Sequence, residues 1–167
     1  MDSKYKLIVD TFGKERFKLN EPLKEYTSTG IGGPAKLFFI AFTSGELIKI
    51  VSLARQLNLP FFLFGTGSKI MISDSGFDGL VIKNRTKNIQ TVSVKGKVSK
   101  YSIGVEEAAV EVDSGVSIKR FMEYLDTQGL ESIDFASIPG SIGGALFVSR
   151  FLQNRTKSIK VLDLRSE

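Results

Sequence analysis

The chain contains no cysteine and no histidine among its 167 residues. Without cysteine it has no disulfide framework, thiolate metal site or cysteine nucleophile, an absence that fits a reducing compartment. Without histidine it has neither the usual zinc sites nor any His-dependent catalytic triad. The longest apolar runs fall far short of the ~20 residues that a membrane-spanning helix needs. Residues 1–18 are charged throughout, unlike a secretory leader. A soluble, cytoplasmic protein with no membrane partner is therefore expected.

Hydrophobic residues make up 42% of the chain and charged residues 25%, with 16 glycines and no low-complexity block. That composition suits one compact folding unit with a real core, arranged in two lobes. The net charge of +5 favours anionic ligands. Lys83, Arg85, Lys87, Lys95, Lys97 and Lys100 fall in a span without acidic residues. They alternate with Val, Ile and Thr as on the wet face of a hairpin, so nucleic-acid binding through them is not expected.

In chain order, residues 5–17 carry a helical spacing of Leu7, Ile8, Phe12 and Phe17, interrupted by Gly13. Residues 23–35 hold three glycines and a proline, which predicts a defined loop. The apolar run 36–42 predicts a strand buried on both faces. Thr43 and Glu46 have capping-box spacing, and the stripe after them predicts a helix stopped by Pro60. Residues 61–64, Phe-Phe-Leu-Phe, predict a second strand, completing a βαβ unit. Short apolar segments follow at 69–73 and 80–83, around a turn cluster at 74–79. Residues 89–94, 98–104 and 108–113 read as antiparallel strands, with turns at 95–97 and at Glu106 and Glu107. Ser117 caps a predicted helix that runs to Gln128 and stops at Gly129. The apolar segment 146–152 and a last strand at 157–164 complete the chain. That last strand predicts an open sheet edge available to another copy or to a partner protein.

The predicted strand at 61–64 opens onto Gly65, Thr66, Gly67, Ser68 and Lys69. Glycine permits positive φ, so that successive backbone N–H groups can point into one concavity of phosphate size, and serine adds a hydroxyl donor. The stretch Ile138, Pro139, Gly140, Ser141, Ile142, Gly143, Gly144 and Ala145 is a second such turn. Here Pro139 fixes one φ, and the glycines clear a face for close approach. A strand with a tight turn, or close helix-to-strand packing, accounts for either stretch taken singly.

Four stretches taken together resemble the UDP-N-acetylmuramate dehydrogenase family, also called UDP-N-acetylenolpyruvoylglucosamine reductase, in its FAD-binding region. They are Thr27-Ser28-Thr29-Gly30-Ile31-Gly32-Gly33-Pro34-Ala35, Phe64 through Ser68, Gly76-Phe77-Asp78-Gly79-Leu80-Val81-Ile82, and Ile138 through Ala145. The resemblance implies an α+β fold: the two-lobed FAD-binding domain of the vanillyl-alcohol-oxidase-like type. Residues 1–73 would form a βαβ lobe with the pyrophosphate loop, and 74–167 a β-rich lobe. It implies FAD as cofactor, on Gly65, Thr66, Gly67, Ser68 and Lys69 and on Ile138, Pro139, Gly140, Ser141, Gly143 and Gly144.

The family passes a hydride from NADPH through FAD to the enolpyruvyl double bond of a UDP-sugar. Its catalytic residues and substrate domain lie beyond the part resembled, so no catalytic residue is assigned in this chain. NADPH would be used only with a completing chain. Lys69 stands where the family has asparagine and Gly30 where it has a basic residue, while 147–152 differ from its segment after the second turn. The alternative is a non-catalytic nucleotide- or partner-binding module that has lost reductase activity.

Overall fold

The computed structural model describes residues 3–98 and 103–163. Helix α1 (Ser3–Phe12) comes first, followed by strand β1 (Phe17–Pro22), β2 (Pro34–Ala41), α2 (Ser44–Gln56), β3 (Phe61–Phe64) and β4 (Phe77–Asn84). The hairpin β5 (Ile89–Val98) and β6 (Ile103–Val112) follows, then α3 (Ile118–Thr127), α4 (Ile142–Leu146) and α5 (Arg150–Arg155). No described helix is long and apolar enough to cross a membrane.

The first sheet has four strands in the order β1-β2-β4-β3. β2 and β3 each run parallel to β4, and β1 pairs antiparallel with β2 at the edge. The predicted βαβ unit is present, with β4 inserted between its two strands. Side chains alternate across a strand, so β2 and β4 feed two cores at once. Leu37, Phe39, Ala41, Leu80 and Ile82 pack under α1 and α2. Phe38, Val81, Phe64 and Ala35 face the other way, under Leu23, Ile70 and Ile72. This double burial gives the near-continuous apolar runs read from the sequence.

Helix α2 starts as its capping box requires: the Thr43 side chain accepts from the Glu46 amide at 3.1 Å, and Glu46 accepts from the Phe42 amide at 2.9 Å. Arg16 adds an ion pair to Glu46 at 2.7 Å, and its hydrogen bond is the main reason that the carboxyl is held below its ordinary range.

Several expectations are corrected. Helix α1 ends at Phe12, because Gly13 takes φ 93 and turns the chain into β1. Strand β1 has no apolar alternation to announce it; its pairing with β2 makes it a strand. β4 follows the boundary expected near Asp74 and pairs with both β2 and β3, and the chain leaves that sheet after Asn84.

The region after β4 forms one long hairpin, where shorter strands were expected. The polar breaks at 95–97 and at Glu106 and Glu107 lie inside it. Register shifts, one of them between Lys95 and Gly96, accommodate extra residues, and Lys95 pairs with Glu107 across the ladder at 2.9 Å. Lys83 does not belong to a wet face; it is half-buried against aromatic rings. Lys100 lies outside the described residues.

Residues 157–163 form no strand, and Leu164 lies outside the described residues. Lys157 and Lys160 instead reach Glu107 and Glu111 of β6 through ion pairs, so the open edge expected at 157–164 has no strand to form it.

A second core lies under the hairpin, where Ile89, Val110 and Val112 meet Phe121, Leu125, Phe135, Ile142 and Leu152 from the helices. The Ser117 cap on α3 and the Gly129 stop at φ 67 are as read from the sequence. Polar bonds join this layer to the four-stranded sheet. Buried Asn84 donates to Ser114 Oγ at 2.9 Å and accepts from the Thr86 amide at 3.0 Å, while Asp113 accepts from Ser44 Oγ at 3.0 Å and from the Asn88 amide at 2.9 Å.

Candidate functional site

Three loops meet at the carboxyl end of β3. The first, 27–33, leaves the short 3-10 helix Leu23–Tyr26; the second, 65–69, leaves β3; the third, 138–144, leads into α4. The first two are joined by the Ser28 amide, which donates to Gly67 O at 3.2 Å, and by Ser28 Oγ, which donates to Ser68 O at 3.4 Å. The second and third touch directly. Ser141 Oγ lies where a β-carbon on Gly65 would stand, and Ser68 Oγ lies 2.9 Å from the corresponding point on Gly140. Sequence reasoning placed both glycine stretches at one cleft, and here they are packed together.

Gly67 takes φ 77, and a β-carbon there would overlap the carbonyl oxygen of Tyr26. Its missing side chain therefore serves the seating of one loop against another. The glycines were expected to clear space for a ligand; at Gly65 and Gly67 the cleared space is filled by neighbouring protein. What the loop offers a ligand is its backbone. Among the described residues, the amides of Thr66, Gly67 and Ser68 donate to no protein acceptor. The Thr66 and Ser68 hydroxyls lie 3.1 Å apart beside them. A run of such amides is an anion-binding concavity.

The second turn is held from below. Ile118 N donates to Gly140 O at 2.9 Å, Ile142 N to Val116 O at 2.8 Å and Gly143 N to Ser114 O at 2.9 Å. Ser141 is buried and caps α4 by accepting from the Gly144 amide. Ile138 is partly buried, while Pro139 and Gly144 are exposed at the rim. Lys69 is exposed, with Cε at 4.0 Å from the β-carbon point of Gly140. The stretches 27–33, 64–72 and 135–149 contain no Asp or Glu, so a diphosphate at these loops meets no loop carboxylate.

Three contributors were not singled out from the sequence. Ser28 ties the loops, as described above. Tyr26 donates to Glu21, which also accepts from the Lys18 ammonium at 2.6 Å. Burial pushes the Tyr26 hydroxyl up, and burial would push Glu21 up as well were it not outweighed by the hydrogen bonds from Lys18 and Tyr26. Lys83, the last member of the run Leu80-Val81-Ile82-Lys83, has its Nζ 4.8 Å from the Tyr26 ring centre and 5.2 Å from that of Phe64. Burial, and then the charge of Arg85, lower its pKa. A lysine closing an apolar strand was the available signal.

A family profile described as FAD binding domain matches residues 35–150. The chain belongs to this family of FAD binding domains. Its cofactor is FAD, and its mixed α and β architecture is that of an FAD binding domain. The resemblance seen in the sequence is borne out by the relatives.

UDP-N-acetylenolpyruvoylglucosamine reductase of Syntrophomonas wolfei is 32% identical over 148 residues, covering 87% of the chain and 45% of that protein. The enzyme of the same name from Protochlamydia amoebophila is 36% identical over 135 residues, covering 80% of the chain and 41% of that protein. A crystal structure of UDP-N-acetylenolpyruvylglucosamine reductase from Thermus caldophilus aligns with a TM-score of 0.49 at 23% identity, over 78% of the chain and 40% of its own. The chain thus spans less than half the length of these relatives.

Three features of the loop junction suit a diphosphate: amides without protein acceptors among the described residues, paired hydroxyls next to them, and loops free of carboxylates.

Proposed function

We propose that the chain is the flavin-binding part of a reductase of the UDP-N-acetylenolpyruvoylglucosamine type, working in the cytoplasm. In this reading the fold is the two-lobed, vanillyl-alcohol-oxidase-like FAD-binding domain. The four-stranded sheet carries one lobe, and the hairpin with its helices carries the other. The diphosphate of FAD lies on the amides of Thr66, Gly67 and Ser68, with the Ser68 hydroxyl as a further donor and Lys69 as a nearby cation. Ile138, Pro139, Gly140, Ser141, Gly143 and Gly144 lie against that loop and extend the site, where a flat ring system can lie close to the backbone. The observation that carries the proposal is the run of acceptor-free amides in the cleft where the two glycine loops pack together.

When bound, FAD supplies hydride transfer between NADPH and an enolpyruvyl double bond. The chain's own residues bind and orient the cofactor. NADPH and the UDP-sugar belong to the proposal only together with a completing chain. Support for the substrate class comes from the relatives' names and from the four matching stretches.

The experiment is to add FAD to the purified chain and to a Thr66→Asp variant, following visible absorbance and quenching of flavin fluorescence. Thr66 is exposed, so the variant adds a carboxylate to the loop without crowding the core. Uptake by the parent chain, weakened at least about tenfold in the variant, is expected from like-charge repulsion. A parent chain that takes up no FAD contradicts the proposal.

A further inference from the structure

One cation at the roots of these loops is singled out by neither the motifs nor the family match. Lys83 ends the buried run of β4 and lies opposite Phe64 in the parallel register. Its ammonium sits between the rings of Tyr26 and Phe64. Those two residues are the roots of the two loops that Ser28 ties together: Tyr26 directly precedes 27–33, and Phe64 directly precedes Gly65. The lysine therefore lies beneath the junction of the loops, on the face of the sheet that they cover.

Desolvating an ammonium costs free energy unless the charge is paired or hydrogen-bonded. Among the described residues Lys83 forms no ion pair and no hydrogen bond; its contacts are the two rings, and its charged neighbour is Arg85. Glu21, which bonds Tyr26, is already engaged by Lys18 at 2.6 Å. Ring faces attract a cation but do not neutralise it. The site is charged, partly desolvated and short of one anion. Its lowered pKa has the same origin, since burial and a neighbouring cation both disfavour the protonated form without a counter-charge.

We propose that Lys83 is a cofactor-binding residue that supplies the counter-charge for the diphosphate of FAD from beneath the loops, while the amides of Thr66, Gly67 and Ser68 meet its oxygens from the front. The inference rests on the proposal that FAD occupies this cleft. It gives the two rings a task as well. They fix the long side chain, so the ammonium loses little freedom when the anion arrives. Lys69 is exposed and cannot be held in the same way.

The test compares the parent chain with Lys83→Met, Lys83→Arg and, as a surface control, Lys69→Met. Each variant is first checked by thermal melting. FAD affinity is then measured by fluorescence quenching at several salt concentrations. Lys83→Met is expected to weaken FAD binding by about tenfold or more and to flatten its salt dependence, as loss of one buried charge-assisted contact requires. Lys83→Arg should recover part of the loss, and Lys69→Met should have the smaller effect.

A second readout uses the unmodified protein. A lysine-selective acylating reagent, followed by peptide mapping, should label Lys83 more slowly with FAD present than with riboflavin, which lacks the diphosphate. Uptake of FAD by the parent with unchanged affinity and salt dependence in Lys83→Met, or equal labelling with both flavins, overturns the inference alone. If the parent takes up no FAD, the cofactor proposal falls and this inference with it.

Discussion

Strands β4 and β5 follow one another closely in the chain but live in different surroundings. In β4, Leu80, Val81 and Ile82 are fully buried, because helices cover one face of its sheet and the loops cover the other. In the hairpin only the base is covered. Ile89, Val110 and Val112 meet the helices, whereas Val92, Val94 and Val105 are each more than half exposed. The difference assigns separate work to the two regions. The rigid sheet anchors the roots of the loops that form the cleft, and the hairpin provides a layer that α3 and the second glycine turn lean against.

The largest effect is expected in the sheet. Phe38→Ala removes a fully buried ring between Tyr26 and Val81, and should cost about 3–5 kcal/mol in urea denaturation. A loss under about 1 kcal/mol would mean that the loop-side core is not packed as described.

Next comes the joint between the regions. Asn84→Ala leaves the Thr86 amide without its acceptor and Ser114 without its donor, and should cost about 1–3 kcal/mol. Because Ser114 O also holds the Gly143 amide, the variant should weaken FAD binding as well.

A pH effect separates the hairpin from the sheet. Hydrogen bonds from Lys157, and then from Lys95, hold the Glu107 carboxyl down to about 2, against an ordinary 4.5. A depressed carboxyl supports its contact above the ordinary value and loses that support as pH falls through the depressed one. Between about 4.5 and about 2, the side-chain NMR signals of Glu107 and Lys157 should therefore shift while the amide signals of β4 hold. Simultaneous change in both would contradict the comparison. The Glu107 side chain is partly exposed, so global stability should change little in this window.

The smallest effect is expected at the hairpin's outer face. Val94→Ala should shift the denaturation midpoint by no more than about 0.5 kcal/mol equivalent. A larger loss would show that something covers that face in solution.

Much of the site was legible because glycine, proline and capping residues act locally. The Thr43 and Ser117 caps, the Gly129 stop and the two glycine loops all follow from short-range chemistry, and each stands where the sequence put it. Pairing was less legible. Strand β1 is set by its partner β2 and not by its own pattern. The hairpin's polar interruptions read as turns because a bulge and a turn both break alternation. The lysine at the end of β4 looked like one of a basic series, and only the arrival of Tyr26 and Phe64 on either side distinguishes it.

The most direct test of the central claim is an amide NMR titration of the isotope-labelled chain with FAD. The account predicts that the amides of Thr66, Gly67 and Ser68 shift most, with Gly140 and Ser141 following and the outer hairpin unchanged. Shifts confined to the hairpin, or none in the loop after β3, would contradict it.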